Sequence, residues 1–208
     1  MIVPLTSPYF HVVSQAHVEL DPTAFLSQIK EIGVTFREEI FYPALIEDPD
    51  GFVWIYLVQG NLAGYIAGTQ DVPSFYKLLK RRAPLLLFRL LAKAILKMPS
   101  LLVKYAASGV RMERMPQKEL IPAEIISFGV LPAYRTPEFE LQHGRHVAKA
   151  LFEKAVESFR QAGIREYKVM TIQQNKAANR FYERQGCRLA GTSQPFGVPC
   201  NVFVGELK

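Results

Sequence analysis

The chain has 208 residues, of which 49% are hydrophobic and 21% charged, a composition that supports one substantial core. Charge or proline interrupts every apolar run before the about 18 residues that a membrane-spanning helix needs. The first residues have neither the basic start nor the apolar stretch of a signal peptide. We therefore expect a cytoplasmic protein with a single domain over residues 1–208.

The net charge of +6 suits an anionic partner, and charge alone does not choose between nucleic acid, an acidic membrane face and a phosphate-bearing cofactor. The chain has two cysteines, Cys187 and Cys200. Two cysteines in a chain of this length form neither a disulfide framework nor a zinc site. We expect two buried thiols and no metal.

The N-terminal part predicts a helix followed by a hairpin. Asp21 and Pro22 are typical first residues of a helix, and apolar side chains then recur at helical spacing as far as Phe36. Residues 52–58 and 62–68 are rich in aromatic and β-branched side chains and flank a Gly-Asn turn. This pattern predicts two antiparallel strands.

In the segment Val72–Pro122, apolar runs alternate with single basic residues at helical spacing. We interpret this segment as a helical insert broken at Pro99. Its basic side chains fall within an arc of roughly 80° on a helix: Arg82, Arg89, Lys93, Lys97 and Lys104. One interpretation packs this helix on the domain's own apolar surface with the basic stripe in water. The other places it in peripheral contact with an anionic membrane.

The C-terminal part alternates strands and helices. Predicted strands cover residues 125–130, 167–172 and 201–207, and predicted helices cover residues 144–163 and 176–185. Strand and helix alternation favours a local parallel arrangement, here attached to an antiparallel N-terminal half. The fold class is therefore α/β with a mixed sheet, close to α+β.

Two ordered motifs carry a family resemblance. The segment Asn175–Cys187 resembles the N-x-x-A-x-x-F-Y-x-x-x-G-F motif of the GNAT superfamily of acyl-CoA N-acyltransferases, and Val130–Arg135 resembles the V-x-P-x-Y-R end of the family's fourth strand. The resemblance implies a GNAT-like fold, with the helical insert between the N-terminal hairpin and the central strand. It also implies acetyl-CoA as co-substrate.

The physics of these motifs fits coenzyme A. Backbone amides at a helix N-terminus bind anions, and a strand splayed from its neighbour offers unpaired groups to an extended pantetheine arm. We expect coenzyme A in a V between the strands ending at Val130 and Gln173, with its phosphates over Gly144–Ala148. No G-x-G-x-x-G motif follows a first strand, which argues against a dinucleotide site. The expected cofactor-binding residues are Phe128, Gly129, Val130, Arg135, His143, Gly144, Arg145, His146, Val147, Ala148, Asn175, Ala178, Phe181 and Tyr182.

The sequence departs from the family between these motifs. Residues 136–143 lengthen the connection, and His146 stands where the family has its middle glycine. A side chain there hinders close approach of backbone to phosphate, so either the loop is reshaped or cofactor binding is weakened. A protonated His146, or Arg145, would instead supply charge to the phosphates. The alternative is a solvated histidine on a surface helix.

The resemblance implies Tyr182 as the general acid that protonates the departing thiolate. Glu124, at the start of the central strand, is the first candidate for the general base, followed by Glu138 and Glu140 in the long loop. Each carboxylate has a plain alternative as a solvated surface group. His11 and His17 are interpreted in the same way.

The predicted function is acyl transfer from acetyl-CoA to a primary amine of a small-molecule or carbohydrate acceptor. Protein N-acetylation is the alternative enzyme activity. A non-catalytic GNAT-fold module that binds an anionic partner is the alternative of a different class, against which Tyr182 and Asn175 argue. No nucleic-acid partner is expected.

Overall fold

A computed structural model describes residues 1–21, 29–82, 84–97, 121–144, 146–195 and 198–207. Its centre is a seven-stranded mixed sheet with the strand order β1-β2-β3-β4-β5-β7-β6. The strands are β1 (Ile2–Pro4), β2 (Gly51–Val58), β3 (Asn61–Thr69), β4 (Glu124–Val130), β5 (Glu166–Ile172), β6 (Arg188–Ser193) and β7 (Cys200–Glu206). The parallel pair is β4 with β5, and the other neighbours are antiparallel. The mixed α/β prediction is confirmed.

Helices cover both faces of this sheet. They are α1 (Phe10–Leu20), α2 (Lys30–Phe36), α3 (Tyr42–Glu47), α4 (Val72–Arg82), α5 (Pro84–Lys97), α6 (Pro137–His143), α7 (Val147–Gln161) and α8 (Lys176–Arg184), with a π-helical turn over Arg37–Phe41. Helix α7 and Tyr182 of α8 share one buried cluster with the sheet, and α1 and α3 share the other. None of the described helices is both long and apolar enough to span a bilayer.

The predicted hairpin is confirmed as β2 and β3, with a correction at its turn. The positive φ angles fall on Gln59 and Gly60, at 50° and 82°, and Asn61 is already the first residue of β3. A two-residue turn with two positive φ angles matches the twist of the flanking strands. Glycine takes up such a φ angle without steric cost, so Gly60 belongs inside the turn.

The N-terminal helix prediction is only partly comparable with the structure. Helix α2 begins at Lys30, and residues 22–28, which include the predicted start, lie outside the described residues. Five of the described helices and strands were not predicted from the sequence: β1, α1, α3, α6 and β6. A strand of three residues has no readable period of its own and forms only because it pairs with Trp54–Tyr56 of β2.

The insert is helical over its described part, α4 and α5, as predicted. Helix α5 packs on α2 through Leu90, which lies in one buried cluster with Ile32 and Ile40. Pro99 and Lys104 lie outside the described residues. The expected buried thiols are confirmed, because Cys187 and Cys200 are both buried and free.

Candidate active site

The central feature of the sheet is a V between β4 and β5. These parallel strands pair only at Glu124 with Lys168 and at Ile125 with Val169, whereas β4 pairs with β3 as far as Val130. Beyond Ile125 the described residues offer β4 no strand partner on its β5 side. A row of backbone donors and acceptors therefore lines the V, and buried backbone groups of this kind need a partner.

A β-bulge marks the point where the two strands part. Ser127 pairs with Ala67 and Ile125 pairs with Gly68, so Ile126 is the extra residue on β4. A bulge bends its strand and increases the local twist. The bend begins one residue after the last β4–β5 pair, which explains why the V opens at this place.

Aromatic side chains form one wall of the V. Phe128 of β4 and Phe181 of α8 have ring centroids 5.6 Å apart, and Phe152 of α7 lies edge-on to Phe181 at 5.5 Å. Tyr182 packs on Phe152 and Phe203 in the same cluster. The structure thus brings together three of the predicted cofactor residues.

Tyr182 is almost fully buried, at 4% exposure. Burial raises the pKa of its phenol well above the ordinary value, and the neighbouring Cys187 adds to the rise. The hydroxyl is therefore protonated at neutral pH. Among the described residues, no hydrogen bond involves this hydroxyl.

The N-terminus of α7 lies next to the open end of the V. Val147, its first residue, is buried in the same cluster as Val130, the last residue of β4, and Ala148 packs against that cluster. The N-cap residue His146 makes no side-chain capping bond to this 15-residue helix. The first amides of a helix lack intrahelical partners and carry the positive end of its dipole, so they form an anion site.

The connection before α7 differs from the prediction. Residues 137–143, expected as a loop, form α6, capped by Thr136 through a 3.2 Å bond from the Phe139 amide. Gly144 ends that helix in the left-handed conformation, with a φ of 60°, instead of opening α7. Its amide bonds to the Glu140 carbonyl, so the prediction that Gly144 begins the anion-binding helix was wrong.

His146 has a different partner from the expected phosphate. Its Nδ1 lies 2.6 Å from Oε1 of Glu140, and the ring is 62% exposed. The carboxylate lowers the net charge that this position can offer an anion. Arg145 and the side chain of His143 lie outside the described residues, while Arg135 and Glu138 are exposed.

Two asparagines anchor α8 to the end of β5. Asn175 caps the helix, its Oδ1 accepting from the Ala178 amide at 3.1 Å. Asn179 is buried, and its Nδ2 donates to carbonyls at the end of β5 and of Asn175, while its Oδ1 accepts from Asn201. This second asparagine was not predicted. Its signal in the sequence was a polar residue one turn after Asn175 on an apolar helix face.

Glu124 lies at the closed end of the V. It is 7% exposed, and its Oε2 is 3.5 Å from the Lys168 ammonium, so the alternative of a solvated surface carboxylate was wrong. Burial raises the pKa of Glu124 above its ordinary value, and the charge of Lys168 opposes that rise. A carboxylate with a raised pKa at the end of a groove is a candidate general base.

Helix α4 borders the same carboxylate. Burial raises the pKa of Tyr76 to about 12, and the negative charge of Glu124 contributes to the rise. The exposed edge of Tyr76 therefore marks a solvent-facing side of the region around Glu124.

The two N-terminal histidines have opposite environments. His11 is exposed, with Nδ1 2.8 Å from Glu38. His17 is buried, contrary to expectation, with Nδ1 3.0 Å from the Tyr42 hydroxyl and Nε2 3.1 Å from the Ser127 hydroxyl. Burial, and then the charge of Arg37, lowers the pKa of His17, which makes it a neutral hydrogen-bonding group beside the bulge of β4.

Comparisons with known proteins agree with this geometry. Residues 109–187 match the model of the Acetyltransferase (GNAT) family. No curated protein sequence is significantly similar to the chain.

Solved structures share the fold along the whole chain. The PaiA N-acetyltransferase of Thermoplasma acidophilum in complex with coenzyme A is 11% identical, with a TM-score of 0.59 over 100% of this chain and 98% of that one. NAA60 of Arabidopsis thaliana in complex with a bisubstrate analogue is 16% identical, with a TM-score of 0.58 over 100% and 99%. Ard1 of Thermoplasma volcanium is 12% identical, with a TM-score of 0.56 over 100% and 97%. At these identities the likeness is one of fold.

The family match covers β4, α7, β5 and α8, the elements that build the V, its aromatic wall and the uncapped helix end. The motif resemblance, the matched family and the shared fold agree. Residues 109–187, which include the elements that build the V, are therefore similar to the GNAT family of acetyltransferases.

Proposed function

We propose that acetyl-CoA binds in the V and gives its acetyl group to a primary amine at the closed end of the groove. The observation that carries the proposal is that β4 and β5 pair at two positions and then part. An extended pantetheine arm with two amides matches the unpaired backbone of Phe128–Val130 in the manner of an added strand.

The phosphates belong at the open end, over the first amides of α7. These amides carry the helix dipole, and no side chain caps them. Ala148 offers little bulk, so backbone and phosphate can approach closely. We expect His146 to contribute little charge here because Glu140 already holds its ring.

The thioester then lies near the closed end. From Val130 back to Ile126 the strand covers about 13 Å at 3.3 Å per residue, and Glu124 lies two residues further along. Tyr182 packs in the aromatic wall on the α7 side, and Glu124 lies at the apex of the V. An acid and a base with different environments are thus available at one end of the groove.

The reaction needs a deprotonated amine and a protonated leaving group. The acceptor gives a proton to the Glu124 carboxylate, directly or through water, and its nitrogen forms a bond to the acyl carbon. The C–S bond breaks, and the Tyr182 hydroxyl donates its proton to the sulfur. Transfer of the proton from Glu124 through solvent restores Tyr182.

The acceptor in this proposal is a small-molecule or carbohydrate amine. Its support is the recessed position of Glu124, which is 7% exposed and favours an amine on a narrow group. A protein or peptide amine on a flexible chain is the alternative, and NAA60, which shares the fold, was solved with a bisubstrate analogue.

The test is thiol release from acetyl-CoA across a panel of amines. The panel contains polyamines, amino sugars and aminoglycosides on one side, and peptides with free N-termini or lysines on the other. Turnover with the small amines and none with the peptides is the expected result. Turnover confined to peptides would replace the acceptor proposal, and no thiol release with any amine would contradict the proposed function.

A further inference from the structure

Positive charge is concentrated in two consecutive helices, α4 and α5, which are together called the α4–α5 hairpin below. Residues 72–97 contain seven lysines and arginines and no aspartate or glutamate, whereas the whole chain has a net charge of +6. The remaining residues together therefore carry a net charge of −1. The basic character of the protein lies in this one pair of helices and in the segment that follows it.

The same hairpin exposes large apolar side chains. Leu85, Phe88 and Leu96 are 67%, 69% and 82% exposed, and Ile95 is 37% exposed. At 100° per residue these four side chains and Ala92 fall within about 100° of the α5 circumference. They form one continuous stripe, referred to below as the outer stripe.

Packing fixes the direction in which the outer stripe points. Leu90 is buried against Ile32 and Ile40, and Leu86 packs beside it. Ion pairs of Arg82 with Glu47 and of Lys97 with Glu31 attach the hairpin to α3 and α2. The outer stripe borders the α2 side of these contacts, because Phe88, Ala92 and Leu96 line an open groove with α2. Phe88 and Leu96 nevertheless remain mostly exposed.

A basic band borders the outer stripe. Arg89 and Lys93 are exposed and lie between the stripe and the buried face of α5, and Lys77, Lys80 and Arg81 are exposed on α4. None of these five basic residues forms an ion pair with a described residue. Long basic side chains beside an apolar stripe can keep their charges in a headgroup layer while their stems follow the apolar surface.

We propose that the α4–α5 hairpin docks the enzyme on the surface of an anionic lipid bilayer, with the outer stripe in the interface and the basic band on the headgroups. Charge complementarity selects this occupant, because an interfacial helix needs both features on one side. Nucleic acid would use the basic residues and leave Phe88 and Leu96 without a role. An apolar protein groove would use the stripe and leave five exposed cations unexplained.

Docking has a consequence for the site. Helix α4 carries Tyr76, whose pKa is raised in part by the negative charge of Glu124. The α4–α5 hairpin therefore borders the closed end of the V. A docked enzyme holds this end near the lipid surface. If the proposed function holds, amines carried by lipids or by molecules bound at the surface then reach the base first.

The experiment is co-sedimentation of the full chain with vesicles of phosphatidylcholine alone and with one-quarter phosphatidylserine. Wild type is expected to sediment only with the anionic vesicles. Arg89→Glu with Lys93→Glu should weaken binding by about tenfold or more, and so should Phe88→Ser with Leu96→Ser. Arg165→Glu with Arg188→Glu, two exposed positions outside the hairpin, is the charge-matched control and should bind within about twofold of wild type.

Three outcomes would overturn the proposal. Wild type that never sediments with anionic vesicles excludes the surface. An equal loss in the control variant reduces the effect to net charge, and unchanged binding of Phe88→Ser with Leu96→Ser removes the stripe from the contact. Stabilisation of each variant by acetyl-CoA verifies folding and keeps this result separate from the proposed function.

Discussion

The V between β4 and β5 and the α4–α5 hairpin hold their ionisable groups in opposite environments. In the V, ionisable groups are few and buried, and burial raises the pKa values of both Glu124 and Tyr182. In the hairpin, charges are many and exposed, beside apolar side chains that are themselves exposed. In our proposals the first arrangement serves proton transfer, and the second binds an anionic lipid surface.

This difference predicts that the two regions can be altered separately. A substitution in the V should alter turnover with little effect on binding to anionic vesicles. A change on the outer surface of the hairpin should leave turnover intact, because Leu90 and the two ion pairs, not the exposed side chains, hold it in place.

Glu124→Gln should cause the largest loss. The amide keeps the shape of the side chain but cannot take a proton, so we expect turnover to fall by about 10³-fold with acetyl-CoA affinity retained. Single-turnover kinetics and calorimetric titration measure the two quantities. Glu138→Gln, which changes an exposed carboxylate of α6, is the control and should be unaffected. Equal activity of Glu124→Gln and wild type would assign the base elsewhere.

Tyr182→Phe should lower turnover by about 10²-fold, since it removes only the hydroxyl that we propose protonates the thiolate. The ring contacts with Phe152 and Phe203 remain, so the melting temperature should barely change. Tyr56→Phe, a second buried tyrosine, is the matched control with wild-type turnover expected. If Tyr182→Phe matches wild type where chemistry limits the rate, the tyrosine serves packing and water protonates the sulfur.

Lys168→Met should move the pH profile. In the proposed mechanism Glu124 acts as a base when it is deprotonated, so activity should be lost as the pH falls through its pKa. The ammonium of Lys168 lowers that pKa, and removing it should shift the acidic limb of kcat/KM upward by about one unit. The activity on the limb then falls about tenfold, with recovery at higher pH. A limb that stays in place would show that another group controls it.

Arg89→Glu with Lys93→Glu should have the smallest effect on chemistry. Both residues are exposed on α5, away from the V, so acetyl-CoA affinity and turnover with a soluble amine should stay within about twofold of wild type. Isothermal titration and the thiol assay measure both. Loss of cofactor affinity in a folded variant would contradict the separation of the two regions.

Sequence reasoning was most informative where local chemistry determines structure. The spacing of Val130, Asn175 and Tyr182 predicted the strand and helix that border the V. The β2–β3 hairpin was predicted from its β-branched and aromatic residues on either side of a turn. Elements that depend on partners were missed, because β1 forms only against β2.

The errors near the site have the same cause. A glycine such as Gly144 is compatible with the start of one helix or the end of another. Thr136 caps an additional helix, α6, and Gly144 therefore ends that helix. Glu124 and His17 were interpreted as solvated because their residue types usually are, whereas β5 and α3 bury them. The burial of Asn179 depends on how α8 meets β5 and β7, because its amide bonds to carbonyls at the end of β5 and to Asn201.

Amide hydrogen exchange with and without acetyl-CoA tests the central claim most directly. Saturating ligand at about 100 times its dissociation constant should stabilise the fold by about 2.7 kcal/mol. Beyond that global effect, we expect added protection in residues 126–130 of β4 and 146–149 at the start of α7, and none in residues 84–97 of α5. Protection confined to α5, or no protection in β4 with ligand bound, would show that the V is not the cofactor site.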